Sequence, residues 1–411
     1  LSAEKRGDED AKSVRAYFRR NSSAEWRSLD DQRAKALQSQ REFEAKIPTT
    51  MVMAEMEAPR ETFILQRGQY DQPGDKVTAV LPEAFPPLPE GAPANRLGLA
   101  QWLVDPSHPL TARVTVNRFW QHYFGAGIVM TAEDFGIQGE PPSHPELLDW
   151  LATEFIRSGW DVKAMQRLMV TSATYRQSSK AAPELLEKDP GNRLLGRGAR
   201  FRLDAEVIRD NALSLCGLLT QKIGGPSVKP YQPAGLWEEM AYGDGFSAQI
   251  YVQDHGEALY RRSMYTFWKR QVPPPTMLTF DGPIREVCQA RRPRTNTPLQ
   301  ALVLLNDPQF VEASRMFARR MMKEGGADPA QRIAYGFRLA TCRAPSQAEL
   351  DILTKTLDKE LGYFAKDPES STKFVSVGEC PLDDSLNVCE YAAYTAVASM
   401  ILNLDEVVTK G

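Results

Sequence analysis

Apolar residues recur at helical spacing along most of this chain. The spacing predicts helices over Asn95–Val104, Thr111–Phe124, Leu147–Ile156, from Asp161 to about Tyr175, and over Asp204–Leu219. It resumes over Pro298–Leu305, Pro308–Lys323, Pro329–Ala340, Ser346–Tyr363 and Val388–Leu404. Asp161, Asp328, Ser346 and Asn387 stand where N-caps stand. Ser143-His144-Pro145-Glu146 and Thr297-Pro298-Leu299-Gln300 read as capping boxes, the second with proline at the first helical position. Asp307-Pro308 predicts a break, because Pro308 has no N–H and its ring clashes with the carbonyl four residues back.

Elsewhere the pattern changes. Residues 9–45 are charged, with a weak helical period through Val14, Tyr17, Phe18, Leu29, Leu37 and Phe43. They read as exposed helices, an arm or the tail of a preceding domain. Thr49–Met53 and Glu61–Leu65 are strand-like, and a proline-rich stretch from Leu81 to Pro93 follows them. Residues 225–296 carry prolines and aromatics without clean periodicity. The expected class is mainly α. It is a multi-helix globular domain with a small β element near residues 48–66 and an irregular Pro/aromatic-rich middle. The expected organisation is a helical arm (1–47), a small strand pair with a connector (48–94) and a main helical domain (95–411).

Composition narrows the function classes. A chain of 411 residues, 42% hydrophobic and with net charge −3, does not look like a general nucleic-acid binder, so no nucleic-acid partner is expected. No apolar run approaches the roughly 20 residues that span a bilayer. The chain begins at Leu1 and reads as a fragment or processed product. Five cysteines form no C-x-x-C-H haem-attachment motif, so no cofactor is expected in this chain. The four histidines lack ligand spacing, so no metal is expected either. Cys380 and Cys389 are open to two readings, a small disulfide loop or two free thiols. Dinucleotide, P-loop and G-x-S-x-G motifs are absent.

Three constellations could carry chemistry. Within residues 260–296, eight basic side chains stand against two acids, Asp281 and Glu286. Arg261, Arg262, Arg285, Arg292 and Arg294, with Trp268 and Asn296, form the candidate ligand-binding set. Guanidiniums interleaved with aromatics suit sugars, acidic polysaccharides or haem propionates. The competing reading is buried arginines paired to distant acids. The second constellation lies on one helix: Arg113, Asn117, Arg118 and His122. His122 sits one turn from Arg118, and a histidine beside an arginine tends to stay neutral, as a general base must. Structural hydrogen bonding is the alternative. In the third, Asp254 beside His255, with Asp281 or Glu286, could do acid–base work of the glycosidase type. The arginines are expected to converge with Asn296 and the helix start at Thr297 on one inward-facing site.

Motifs in fixed order run along the whole chain. They include Asn95-Arg96-Leu97-Gly98-Leu99-Ala100, Val116-Asn117-Arg118-Phe119-Trp120, Glu133-Asp134-Phe135-Gly136, Thr171-Ser172-Ala173-Thr174-Tyr175-Arg176 and Arg292-Pro293-Arg294-Thr295-Asn296-Thr297-Pro298-Leu299-Gln300-Ala301-Leu302. In these the chain resembles the planctomycete domain-of-unknown-function family 1553. The resemblance implies an exported protein of the periplasm or cell envelope, with this domain C-terminal to a cytochrome c-like domain. Haem c is then expected only on that upstream domain, which becomes the expected partner. The family brings no reaction with it. Two function classes stay open: an accessory or ligand-binding domain, with a polysaccharide as possible ligand, and a carbohydrate-active enzyme, either a hydrolase or a cytochrome-coupled dehydrogenase. Gly378-Glu379-Cys380-Pro381 departs from the Gly-Glu-Ser-Pro usual in that family.

Overall fold

The structure is a computed structural model and describes residues 7–58, 60–240 and 250–411. Helix dominates: 52% of the described residues are helical, and among them stand 17 α-helices against two small two-stranded sheets. The chain divides into two compact units, one ending at Val80 and the other running from Leu81 to Gly411.

The first unit holds α1 (Asp8–Ser22) and α2 (Ala24–Glu44), separated by Ser23, whose hydroxyl accepts the Trp26 N–H. Neither helix buries a residue, so the stripe through Tyr17, Phe18 and Phe43 stays exposed. The β element falls later than the alternation indicates. β1 (Thr62–Leu65) pairs antiparallel with β2 (Pro73–Val77), while Thr49–Met53 forms no strand. An isolated run of that length has no partner to complete its ladder, and alternation alone cannot supply one.

The second unit has two cores. α3 (Arg96–Leu103) leads into α4 (Thr111–Phe124), α5 (Pro145–Arg157) and α6 (Val162–Thr171). Val116, Trp120 and Phe124 pack there on Leu148, Leu151, Phe155, Met165 and Met169. α7 (Pro183–Lys188), β3 (Phe201–Arg202), α8 (Ala205–Cys216), α9 (Leu236–Met240) and α10 (Pro275–Thr279) follow. Then come α11 (Pro298–Asn306), α12 (Pro308–Glu324), α13 (Pro329–Thr341), α14 (Gln347–Phe364), α15 (Pro368–Val375), α16 (Val388–Leu402), α17 (Asp405–Val408) and β4 (Thr409–Lys410). The larger core centres on α12 and α16, where Phe310, Phe317 and Met321 meet Tyr394, Val397 and Ile401. α16 is apolar on every face, as a helix enclosed by neighbours must be.

The caps explain most boundaries. Asp161, Asp328, Ser346 and Asn387 all accept N–H groups of the first turns of their helices. Asp307 breaks the ladder at φ −65, ψ 131 and caps α12 through Gln309. Ser143 departs from the reading: its hydroxyl turns to the Ile128 carbonyl, and α5 starts without a side-chain cap. α4 is capped in an unusual way. The N-cap residue Leu110 offers no side-chain acceptor, and buried His108 supplies one through Nδ1, 3.1 Å from the Thr111 N and 3.3 Å from the Leu110 N. Its ring stacks on Phe85 and meets Trp102 edge to face. His108→Ala is expected to cost on the order of 2 kcal/mol, a lost cap plus a small cavity, read as a lowered urea midpoint. A change below about 0.5 kcal/mol would count against this role.

Candidate functional site

The arginines of the 260–296 segment do not converge on one point. Buried Arg261 donates to the carbonyls of Lys222, Gly224 and Pro226, and its guanidinium stacks 3.8 Å from the Tyr265 ring centre. Arg262 is half-exposed, 3.6 Å from Asp210. Arg285 lies over Trp268 at 4.5 Å, and Arg291 reaches Glu133 at 3.5 Å. Glu286 and Asn296 are exposed.

Asp281 has a fastening role. It pairs with buried Arg202 and accepts the Thr295 N–H at 2.8 Å and the Thr295 hydroxyl at 2.9 Å. These bonds hold it at φ +59, a left-handed conformation uncommon for a residue with a side chain. Arg202 also donates to the Thr295 carbonyl, and Gln300 donates to the Thr279 carbonyl and accepts the Thr297 N–H. The Arg-Pro-Arg-Thr-Asn-Thr-Pro run is thereby tied down at the entry to α11.

Arg292 and Arg294 reach back toward α4 and α8. Arg292 forms a two-pronged pair with Glu206, at 2.6 and 3.1 Å, and lies 4.0 Å from Asp204. Both acids stand at the start of α8, where carboxylates are favoured by the helix dipole. Arg294 donates to the Gly125 carbonyl at 2.9 Å and lies 4.3 Å from the Phe201 ring centre, while its buried Nε has no partner. Burial lowers its pKa, with Arg202 and Arg292 adding to the effect and Asp204 opposing it.

The α4 constellation divides in the same way. Asn117, fully buried, donates to the Val129 carbonyl and accepts the Val129 N–H, a structural role. Arg113 pairs with Asp149 at 2.6 Å and donates to the Pro109 carbonyl. Arg118 and His122 are exposed. The His122 pKa is lowered by partial burial, raised by Asp204, and lowered again by Arg292, Arg294 and Arg118.

Beside Arg294 the chain forms a cleft of about 540 Å³. Its cations are Lys180, Arg197, Arg200 and Arg294, with Phe124 and Phe201 in its wall and no carboxylate among the described lining residues. Arg197 donates to the Asp189 and Pro190 carbonyls, and Arg200 is paired with Asp405. β3 and β4 pair Phe201 with Lys410, whose ammonium lies 4.4 Å from the Tyr175 ring centre and 5.8 Å from that of Phe201. Burial lowers the Lys410 pKa. The result is an electropositive concavity whose basic groups are only partly neutralised.

Comparison with described families gives one match: residues 95–357, more than half of the chain, fit the family described as PSD1, protein of unknown function (DUF1553). The chain belongs to this family. No curated protein and no solved structure shows a significant match. In this DUF1553 chain the matched residues include both α4 and the Arg294 segment.

A second polar assembly surrounds His255. Its Nδ1 lies 2.6 Å from Glu379 Oε1, and Glu379 also accepts from Gln253 Nε2 and the Gly256 N–H. Burial raises the Glu379 pKa, but the bonds from His255, Gly256 and Gln253 hold it below the ordinary carboxylate value. The backbone N–H of Glu379 donates to the Tyr231 hydroxyl. Tyr231 and Tyr260 donate to buried Glu312 at 3.0 and 2.9 Å, and the Cys380 N–H donates at 2.7 Å. Asp254 instead accepts the Lys229 N–H at 2.7 Å, so the acid that orients His255 is Glu379, from 124 residues away.

The five cysteines are free thiols, Cys380 and Cys389 included, and burial pushes the Cys216 thiol up to about 12. Among the described residues no group of three or more His, Cys, Asp or Glu could hold a metal ion, and no helix is long and apolar enough to cross a membrane. Sequence reasoning missed Lys180, Arg197, Arg200 and Lys410. The density of arginine between Arg193 and Arg202 was the available signal.

Proposed function

We propose that this chain is an accessory, ligand-binding domain of an exported, cytochrome c-linked multidomain protein. In this reading it takes a carboxylated or sulfated oligosaccharide in the cleft headed by Arg294. Haem c belongs on the upstream domain, and this chain supplies ligand recognition in the periplasm or cell envelope. The observation that carries the reading is the cleft lining, with four cations and no carboxylate among its described residues. A partly buried guanidinium with an unpartnered Nε is costly unless an anion or hydroxyl meets it. Phe124 and Phe201 offer apolar surface for a sugar ring. Titration calorimetry with a sulfated disaccharide tests the proposal. Arg294→Ala is expected to weaken binding about tenfold, roughly 1.4 kcal/mol, with helix content unchanged. Unchanged affinity overturns the reading. So does a stability loss of about 3 kcal/mol, the scale of a broken buried ion pair.

One observation favours a second reading, a carbohydrate-active enzyme. Glu379 fixes the imidazole of His255 through Nδ1, which leaves Nε2 as a base facing solvent, and that side chain is 74% exposed. Polysaccharide turnover by the full-length haem-loaded protein, lost in His255→Gln, would support it. Turnover retained in that variant would remove His255 from the chemistry.

A further inference from the structure

We propose that the cleft reads two anionic groups of one oligosaccharide, the first at Arg294 and the second at Lys180. The inference rests on the cleft reading above and names the ligand class more closely: a doubly charged sugar rather than a singly charged one.

The four cations of the lining are not equivalent. Arg197 gives both terminal nitrogens to the Asp189 and Pro190 carbonyls. Arg200 is paired with Asp405. Arg294 gives one nitrogen to the Gly125 carbonyl and keeps Nε without an acceptor. Lys180 lines the cleft, is exposed, and forms no ion pair among the described residues. Arg294 and Lys180 are therefore the cations left for a ligand, and they differ in kind. Arg294 is partly buried beside Phe201, with a planar fork that matches a sulfate or carboxylate. Lys180 carries a compact, hydrated charge on a flexible stem, which suits a second anion held less strictly.

The backbone that carries Lys180 is anchored to the loop that carries Arg197 and Arg200. The Gly198 N–H donates to the Ser178 carbonyl at 2.8 Å, and Gln177 Nε2 donates to the Leu195 carbonyl at 3.0 Å. The Ser178 hydroxyl accepts the Lys180 N–H at 3.2 Å. Glycine at 198 permits this approach, since an added Cβ would stand 2.4 Å from the Gln177 carbonyl oxygen. Lys180 is thus held at the cleft by main-chain bonds, and its ammonium is left for the ligand. Ala181 and Leu186 follow it in the lining and add apolar surface for a second sugar ring. No carboxylate among the described lining residues opposes another negative group, so a second charge on the ligand raises affinity instead of meeting repulsion.

The test uses the full chain and two probes, a monosulfated disaccharide and the same disaccharide with one sulfate on each ring. Titration calorimetry gives the ratio of their affinities, and circular dichroism checks helix content in each variant. The wild type is expected to prefer the disulfated probe by roughly 3–5-fold, the scale of an exposed ion pair. Lys180→Ala is expected to bring the ratio close to one, and Lys180→Arg to preserve it. Arg294→Ala is expected to weaken both probes. A wild-type ratio that survives in Lys180→Ala overturns the assignment. So does an equal loss for both probes in that variant, since Lys180 would then act through the general field of the cleft. A wild-type ratio near one overturns the second anion subsite and leaves the cleft reading standing. No wild-type binding of either probe overturns both.

Discussion

Glu312→Ala is expected to cost about 3–5 kcal/mol of stability, the scale for breaking a buried ion pair from one side. Glu312 and Arg315 have side chains only 1% exposed, 3.6 Å apart on successive turns of α12. The carboxylate accepts from Tyr231, Tyr260 and the Cys380 N–H. Arg315 donates to the Cys380 carbonyl, and its Nε has no partner. Removing Glu312 leaves one buried cation and two phenols without their acceptor. The phenol pKa values are already raised, by burial first and then by Glu312. The measurement is the urea midpoint followed by tryptophan fluorescence. A loss below about 1 kcal/mol would mean that water replaces the carboxylate at little cost. The double variant Glu312→Leu, Arg315→Met is expected to recover part of the loss, because an apolar pair carries no desolvation penalty. Gly378 belongs to the same assembly. It sits at φ +94, where an added Cβ would meet the Glu312 carboxyl carbon at 2.2 Å. That close approach accounts for glycine in Gly378-Glu379-Cys380-Pro381.

Much of the fold was legible because helices are local. Asp161, Asp328, Ser346 and Asn387 act within three residues of themselves, and the apolar period of α12 needs no partner to be read. Sheet and site are not local in this sense. β2 begins at Pro73, outside the strand-like runs of the sequence, since a strand is defined by what pairs with it. The Arg292–Glu206 pair spans 86 residues and the His255–Glu379 pair 124. Counting charge in one window could show that residues 260–296 hold unmatched arginines. It could not show that backbone carbonyls satisfy Arg261, that Asp281 is engaged by Arg202, or that Arg294 lines a cleft. The cleft cations come from three separated stretches, around Lys180, Arg197–Arg200 and Arg294, so no single stretch carries all of them.

Arg209 shows the difference between an arginine that builds the fold and one that is merely near it. It is 2% exposed, in the middle of α8. Its Nε donates to Gln309 Oε1 at 2.6 Å, and its terminal nitrogens donate to the Leu259 and Arg261 carbonyls at 2.6 and 2.9 Å. It thereby joins α8 and α12 to the turn that carries Tyr260 to Glu312. The nearest carboxylate oxygen, on Asp210, is 3.8 Å away, so these neutral acceptors stabilise most of the charge. Burial lowers its pKa, with Asp210 and Asp307 opposing, yet a guanidinium starts so high that it stays charged. Arg209→Leu is expected to lose about 4 kcal/mol, because each acceptor left dry costs roughly 1–3 kcal/mol and part is recovered by the apolar replacement. Arg262→Ala is the control, with a side chain 51% exposed, and is expected to change stability by less than about 0.5 kcal/mol. Hydrogen exchange places the damage: amides of residues 259–266 should lose protection in Arg209→Leu while those of α5 keep theirs. Equal stability losses in the two variants would refute the distinction between buried anchor and surface charge.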